Sequence, residues 1–92
     1  MIVGTLRVRL IIRESRSLKD KRQVVKSIKD RLHNSFNVSV AEVEALENRQ
    51  VVVLGLAMVS NETHALKIAL GQIVDALRVH PVAEMLDYEI EI

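Results

Sequence analysis

The stretch Val51-Val52-Val53-Leu54-Gly55-Leu56-Ala57-Met58-Val59 decides how this chain folds. All nine residues are apolar. A membrane-spanning helix takes roughly 20 apolar residues, so the run is too short for one. Polar segments bound it, Glu47-Asn48-Arg49-Gln50 before and Ser60-Asn61-Glu62-Thr63 after. A short apolar run between turn signals reads as a strand covered on both faces. Such a strand belongs inside a sheet, because at an edge it would be an aggregation hazard.

Before it, Val38 to Leu46 reads as a strand joined to it by the polar 47–50 hairpin loop. The alternation of that strand shifts near Val40-Ala41, which predicts a bulge there. Further upstream, Leu18, Val25, Ile28, Leu32 and Phe36 recur at helical spacing. Ser17 is placed to cap this helix, with Asp20 three residues on, and Asn34 and Asn37 bracket its end. Residues 2–12 alternate as a half-buried strand: Ile2, Gly4, Leu6, Val8, Leu10 and Ile12 on one face, Arg7 and Arg9 among those on the other. After the apolar run, Leu66, Ala69, Leu70, Ile73 and Leu77 predict a second helix that Pro81 stops beyond His80. Val82 to Ile92 is the last strand, with Leu86, Tyr88, Ile90 and Ile92 on one face and Asp87, Glu89 and Glu91 on the other.

The order strand-helix-strand-strand-helix-strand over residues 1–92 predicts one α+β domain, a ferredoxin-like sandwich with sheet order 4-1-3-2 and both helices on one face. A right-handed crossover is expected to set strands one and three side by side and parallel. The last strand is expected beside strand one, antiparallel, so Arg7, Arg9 and Arg13 should meet Asp87, Glu89 and Glu91. With 92 residues, a single core suffices without staples. Phe36 and Tyr88 are the only aromatics, so the core is aliphatic. There is no cysteine, which suits a reducing cytoplasm and removes thiolate chemistry. The N-terminus has no basic leader ahead of an apolar run, so neither a signal peptide nor membrane attachment is expected.

The net charge of +1 conceals an asymmetry. Residues 1–36 hold ten Lys or Arg against three acids, and residues 37–92 hold three against nine. The strand-one arginines are accounted for by cross-strand pairing. On helix one, Lys19, Arg22, Lys26, Lys29 and His33 fall within an arc of about 80°. That stripe admits two readings, a solvated helix face or a surface that tracks the phosphates of RNA. If RNA binds, it binds by charge and shape. The RNA-recognition motif stacks bases on aromatics of strands one and three, which hold none here, and the KH module needs a GXXG loop that is missing.

Two further surfaces are candidates. With strands one and three parallel, the loops Arg13–Ser17 and Ser60–Thr63 would be neighbours at the starts of both helices. Arg13, Arg16, Ser17 and Asn61 would then form an anion site. Acylphosphatases of this fold use an Arg and an Asn in such a loop, but the glycine-rich cradle is missing, and Ser17 and Asn61 also read as ordinary caps. On the sheet face away from the helices, Val51, Val53, Gly55, Ala57 and Val59 present a small-residue apolar surface, which predicts a homodimer packed sheet to sheet. Side chains of strands one and four leaning over it are the alternative. His33, His64 and His80 are dispersed, and no nucleophile–base arrangement or phosphate loop is found, so no catalytic residues, metal or cofactor are expected. Glu42-x-Glu44 and Glu89-x-Glu91 each place two carboxylates on one strand face, most simply as solvated acids.

The segments Ser17-Leu18-Lys19-Asp20-Lys21-Arg22, Phe36-Asn37-Val38-Ser39-Val40-Ala41-Glu42-Val43, Leu54-Gly55 and Val59-Ser60-Asn61 together resemble the YlxP family of uncharacterised bacterial proteins. The resemblance covers most of the chain. It implies a ferredoxin-like fold and a cytoplasmic protein. Genes of this family often sit beside ribosome-maturation and initiation-factor genes, which implies work with RNA or the ribosome. The family supplies no catalytic residues. Its hairpin is associated with an aromatic near positions 47–50, where this chain has Glu47-Asn48-Arg49-Gln50.

Overall fold

A computed structural model describes residues 1–92. Six elements follow in order: β1 (Ile2–Ile11), α1 (Leu18–Ser35), β2 (Ser39–Glu44), β3 (Val51–Ser60), α2 (Thr63–Arg78) and β4 (Glu84–Glu91). The sheet order is β2-β3-β1-β4, as the sequence predicts, and the apolar β3 lies inside it.

One expectation is overturned. β1 and β3 are adjacent but antiparallel, with Ile2 opposite Ser60 and Ile11 opposite Val51. The crossover through α1 makes β1 parallel to β2, not to β3. The hairpin then turns β3 back into the space between them, so β3 runs against both. Hence the helices start at opposite ends of the sheet. The Arg13–Ser17 loop leaves the end where β3 begins, and Ser60–Thr63 leaves the other end, roughly 30 Å away along a ten-residue strand.

The core forms where β1 and β3 face the helices. Leu6, Val8, Leu10 and Ile12 meet Val52, Leu54, Leu56 and Met58, beneath Val25, Ile28 and Leu32 of α1 and Leu66, Leu70, Ile73, Val74 and Leu77 of α2. Each large aliphatic side chain buried here contributes roughly 1.5–3 kcal/mol. Gly4 lets α2 sit down on β1: a Cβ there would come within 2.9 Å of the Leu66 and Leu70 methyls.

Local signals set the helix ends. Ser17 Oγ accepts from the Asp20 amide at 3.0 Å, and the Asp20 carboxylate accepts from the amide of Arg16, one residue before the cap, a near relative of the capping box. α2 begins differently. Its N-cap is Glu62, with no side-chain cap, and the Glu62 amide donates to Ser60 Oγ, so Asn61 is not the cap. β4 starts at Glu84 rather than Val82, because His80 Nδ1 accepts from the Val82 and Ala83 amides and folds those residues into a turn.

The bulge in β2 is at Val43, not at Val40-Ala41. Glu42 lies opposite Leu54 and Glu44 opposite Val53, leaving Val43 as the extra residue. Glu42 therefore faces the helices while Glu44 lies on the open face, so the two carboxylates do not share a face. β4 carries a second bulge at Leu86, between Asp87 opposite Arg9 and Met85 opposite Leu10.

Glu42 turned inward meets Lys21, a helix-one residue that is only 1% exposed. Its Nζ donates to the carbonyls of Ala45 (2.9 Å), Val51 (3.2 Å) and Leu46 (3.4 Å). Glu42 Oε2 lies closer still, 2.8 Å from the same ammonium, and opposes its charge. This ammonium ties α1 to the turn between β2 and β3, where Ala45 holds a left-handed backbone (φ 57°). Lys21→Met should leave a buried carboxylate and three carbonyls unpartnered and destabilise by about 3–5 kcal/mol. Adding Glu42→Leu should recover a large part of that loss. Urea unfolding of both variants measures it, and a Lys21→Met midpoint equal to wild type would contradict the assignment.

Candidate functional site

The basic residues sort by what they touch. On β1, Arg9 grips both carboxylate oxygens of Asp87, with its closest contact at 2.6 Å. Arg13 bonds Glu84 at 2.8 Å. Arg7 stands opposite Glu89 in register, yet its guanidinium reaches the other way, over Gly55, to both oxygens of Glu44. Residue 55 is glycine where a Cβ would run into Val43 at 2.9 Å. Hydrogen bonds to Asp87 and Glu44 hold Arg9 and Arg7 above their ordinary pKa, and the arginines hold the two carboxyls below theirs. Carboxylates so depressed stabilise the fold above the ordinary acid pKa of about 4, and the contribution is lost as pH falls below it. Cross-strand pairing is thus present, with Glu84 and Glu44 as partners in place of Glu91 and Glu89.

The same pairs change the open face. Val53, between Arg9 and Glu44, is only 3% exposed, and Val51 and Gly55 are half-buried. Ala57 and Val59 remain open, and with Thr5 and Val3 opposite them they form a small apolar patch at one end of the face. Of the five residues expected at a dimer interface, two are therefore fully available.

The proposed anion group is not assembled. Arg13 is engaged with Glu84, Ser17 caps α1, and Asn61 lies at the far end of the sheet. Arg16 instead lines a polar cavity of about 580 Å³ with Ser15, Glu47, Asn48, Arg49 and Gln50. Asn48 Oδ1 accepts from the Gln50 and Val51 amides, and Gln50 Nε2 donates to the Arg13 and Ser15 carbonyls, which ties the hairpin to the β1–α1 loop.

On α1, Lys19, Arg22 and Lys26 are exposed and Lys29 is half-buried. Lys26 pairs with Asp30 at 2.9 Å, four residues on, which raises the lysine pKa and lowers that of the acid. Lys19, Arg22 and Lys29 have no salt-bridge partner. The stripe predicted from spacing is thus one continuous face, with one of its four cations locally compensated. Sequence reasoning missed Lys21. The signal was its position: at about 100° per residue it falls between Ile28 and Leu32, in the middle of the apolar stripe.

His80 closes a second cavity, of about 460 Å³, which Arg13, Arg78, Glu84 and Met85 also line. Partial burial, and to a lesser extent Arg31, lower its pKa. A histidine whose folded pKa is depressed gives its full stabilisation above the ordinary value near 6.5 and loses it as the pH falls below. Thermal stability should therefore fall between pH 7.5 and 5.5. His80→Ala should lose about 1–2 kcal/mol at pH 7.5, for two amide bonds, and lose that part of the pH dependence. Parallel profiles for variant and wild type would contradict this role.

No three His, Asp or Glu side chains gather into a metal-ligating group, and no helix is long and apolar enough to cross a membrane. Residues 3–90 match the model of a family described as protein of unknown function, DUF503. A curated relative, the uncharacterized protein YlxP of Bacillus subtilis (strain 168), is 38% identical over 60 residues. That alignment spans 65% of this chain and 65% of the relative. The chain belongs to the DUF503 family.

Proposed function

We propose that this DUF503 protein is a non-enzymatic, cytoplasmic accessory factor that binds structured RNA or a ribosomal particle through the outer face of α1. The observation that carries the reading is the division of labour among the cations. Arg7, Arg9 and Arg13 are engaged by carboxylates, whereas Lys19, Arg22 and Lys29 are not. A row of unpartnered cations along one helix face suits a row of phosphates. Lys26 joins them at little cost, because an exposed pair at i,i+4 is weak and can exchange its carboxylate for a phosphate. The absence of cysteine suits the reducing compartment in which such partners are found.

Filter binding to ribosomal RNA across a salt series tests this. Lys19→Glu, Arg22→Glu and Lys29→Glu combined should weaken binding and reduce the slope of log affinity against log salt by about 2–3. Lys67→Glu on α2 should leave both unchanged. An unchanged slope in the triple variant would exclude the stripe.

A second reading, a homodimer through the open face, is favoured by the exposed pairs Val3–Val59 and Thr5–Ala57. Val59→Asp, at an exposed position, should give a soluble monomer where wild type is a dimer by light scattering. A wild-type monomer at high concentration would remove this reading. Val53 is the wrong position for the test, because its side chain is buried within the chain itself.

A further inference from the structure

The sheet has two edges, and the chain treats them differently. Both edge strands carry a bulge, one of the devices that protect an edge from unwanted pairing. The bulge of β2 at Val43 leaves it only four regularly paired residues, whereas the bulge of β4 at Leu86 leaves a regular run from Asp87 to Glu91. β4 is eight residues long and pairs on one side only, with β1. Its other side offers unpaired backbone groups. On the helix side of β4, Tyr88 and Ile90 remain 43% and 37% exposed, although Arg78 at the end of α2 lies over the Tyr88 ring, 5.4 Å from its centre. On the open side stands a row of acids: Glu84, Asp87, Glu89 and Glu91.

Two of these acids are used inside the chain, Glu84 by Arg13 and Asp87 by Arg9. Glu89 and Glu91 are not. The cation in register with Glu89 is Arg7, which is drawn across Gly55 to Glu44, and the residue opposite Glu91 is Thr5. The edge therefore combines free backbone groups, an apolar row on one face and uncompensated carboxylates on the other.

We infer that the outer edge of β4 accepts an extended segment of another protein in which basic and apolar residues alternate, added to the sheet as a fifth strand. In strand addition, backbone hydrogen bonds hold the incoming chain, and its alternate side chains fall on opposite faces. Apolar residues would lie beside Tyr88 and Ile90, and Lys or Arg beside Glu89 and Glu91. β1 shows that β4 takes this pattern. Its Leu6-Arg7-Val8-Arg9 lies against Ile90, Glu89, Tyr88 and Asp87, with the apolar pair on the helix side and the arginines on the open side. A second copy of this chain fits poorly. An antiparallel β4–β4 pairing sets the acids of one copy beside those of the other, and like charges opposed across strands are unfavourable. RNA is repelled by the same row, so this edge is separate from the α1 surface.

The test uses the full-length, isotope-labelled chain and a capped synthetic peptide, Thr-Val-Arg-Val-Arg-Val-Thr, with Thr-Val-Glu-Val-Glu-Val-Thr as control. The arginine peptide should shift amide resonances mainly in residues 84–91 and slow their hydrogen exchange, and the glutamate peptide should do neither. Glu89→Lys with Glu91→Lys should weaken the arginine peptide by about tenfold. Glu89→Gln with Glu91→Gln, a milder change at the same exposed positions, should weaken it less. Equal binding of the two peptides, shifts centred elsewhere, or unchanged affinity in both double variants would overturn the inference. So would a wild-type dimer joined through β4.

Discussion

β3 carries no polar side chain between Val51 and Val59, so both of its faces have to be covered, and the rest of the molecule follows from how that is done. On one face the answer is hydrophobic burial under α1 and α2. On the other it is a pair of arginines from β1 whose guanidinium groups are held in place by carboxylates of the two outer strands. Arg7 reaches to β2 and Arg9 to β4, and Val53 is closed off beneath them. Exposed ion pairs of this kind contribute little to stability one by one. Their consequence here is geometric: they keep long side chains lying across an apolar strand, and they remove those arginines from the set free to meet an anionic partner.

The second constraint is at the end of the sheet where β1 stops, β3 starts and α1 begins. Three polar backbone groups of the hairpin turn point inward there, and Lys21 from α1 satisfies them. A buried ammonium is tolerable only with its protons donated and its charge opposed. Glu42, in regular register with the inward-facing Val40, provides the opposing charge, and the Val43 bulge just beyond it turns Glu44 to the open face. Gln50 then locks the hairpin to the β1–α1 loop. The base of α1 is therefore held rigidly, which fixes the direction in which its outer face is presented.

Much of this was legible in the residues and some of it was not. The alternation of β1, the continuous apolarity of β3 and the cap at Ser17 are local patterns, and each of them placed its element. Strand direction is not local. Nothing in residues 51–59 says which way the strand runs, and the parallel assignment brought Asn61 to the wrong end of the sheet. The Lys21–Glu42 pair, a contact between residues 21 positions apart, is likewise not local. The α1 stripe was visible because helical spacing is local. That the β1 arginines are paired was legible from cross-strand position; that Arg7 takes Glu44 of β2 rather than Glu89 of β4 was not.

The chain's charged surface thus divides in three: a neutralised open face, a basic helix and an acidic sheet edge. The reading of α1 as the RNA-binding surface is the central one. It is tested most directly by amide chemical-shift mapping of the intact protein against a short structured ribosomal RNA fragment. The account predicts perturbations along the outer face of residues 19–33, with β1 and β4 unaffected. Perturbations centred on the Arg7, Arg9 and Arg13 face, or none at RNA concentrations that saturate a known binder, would contradict it.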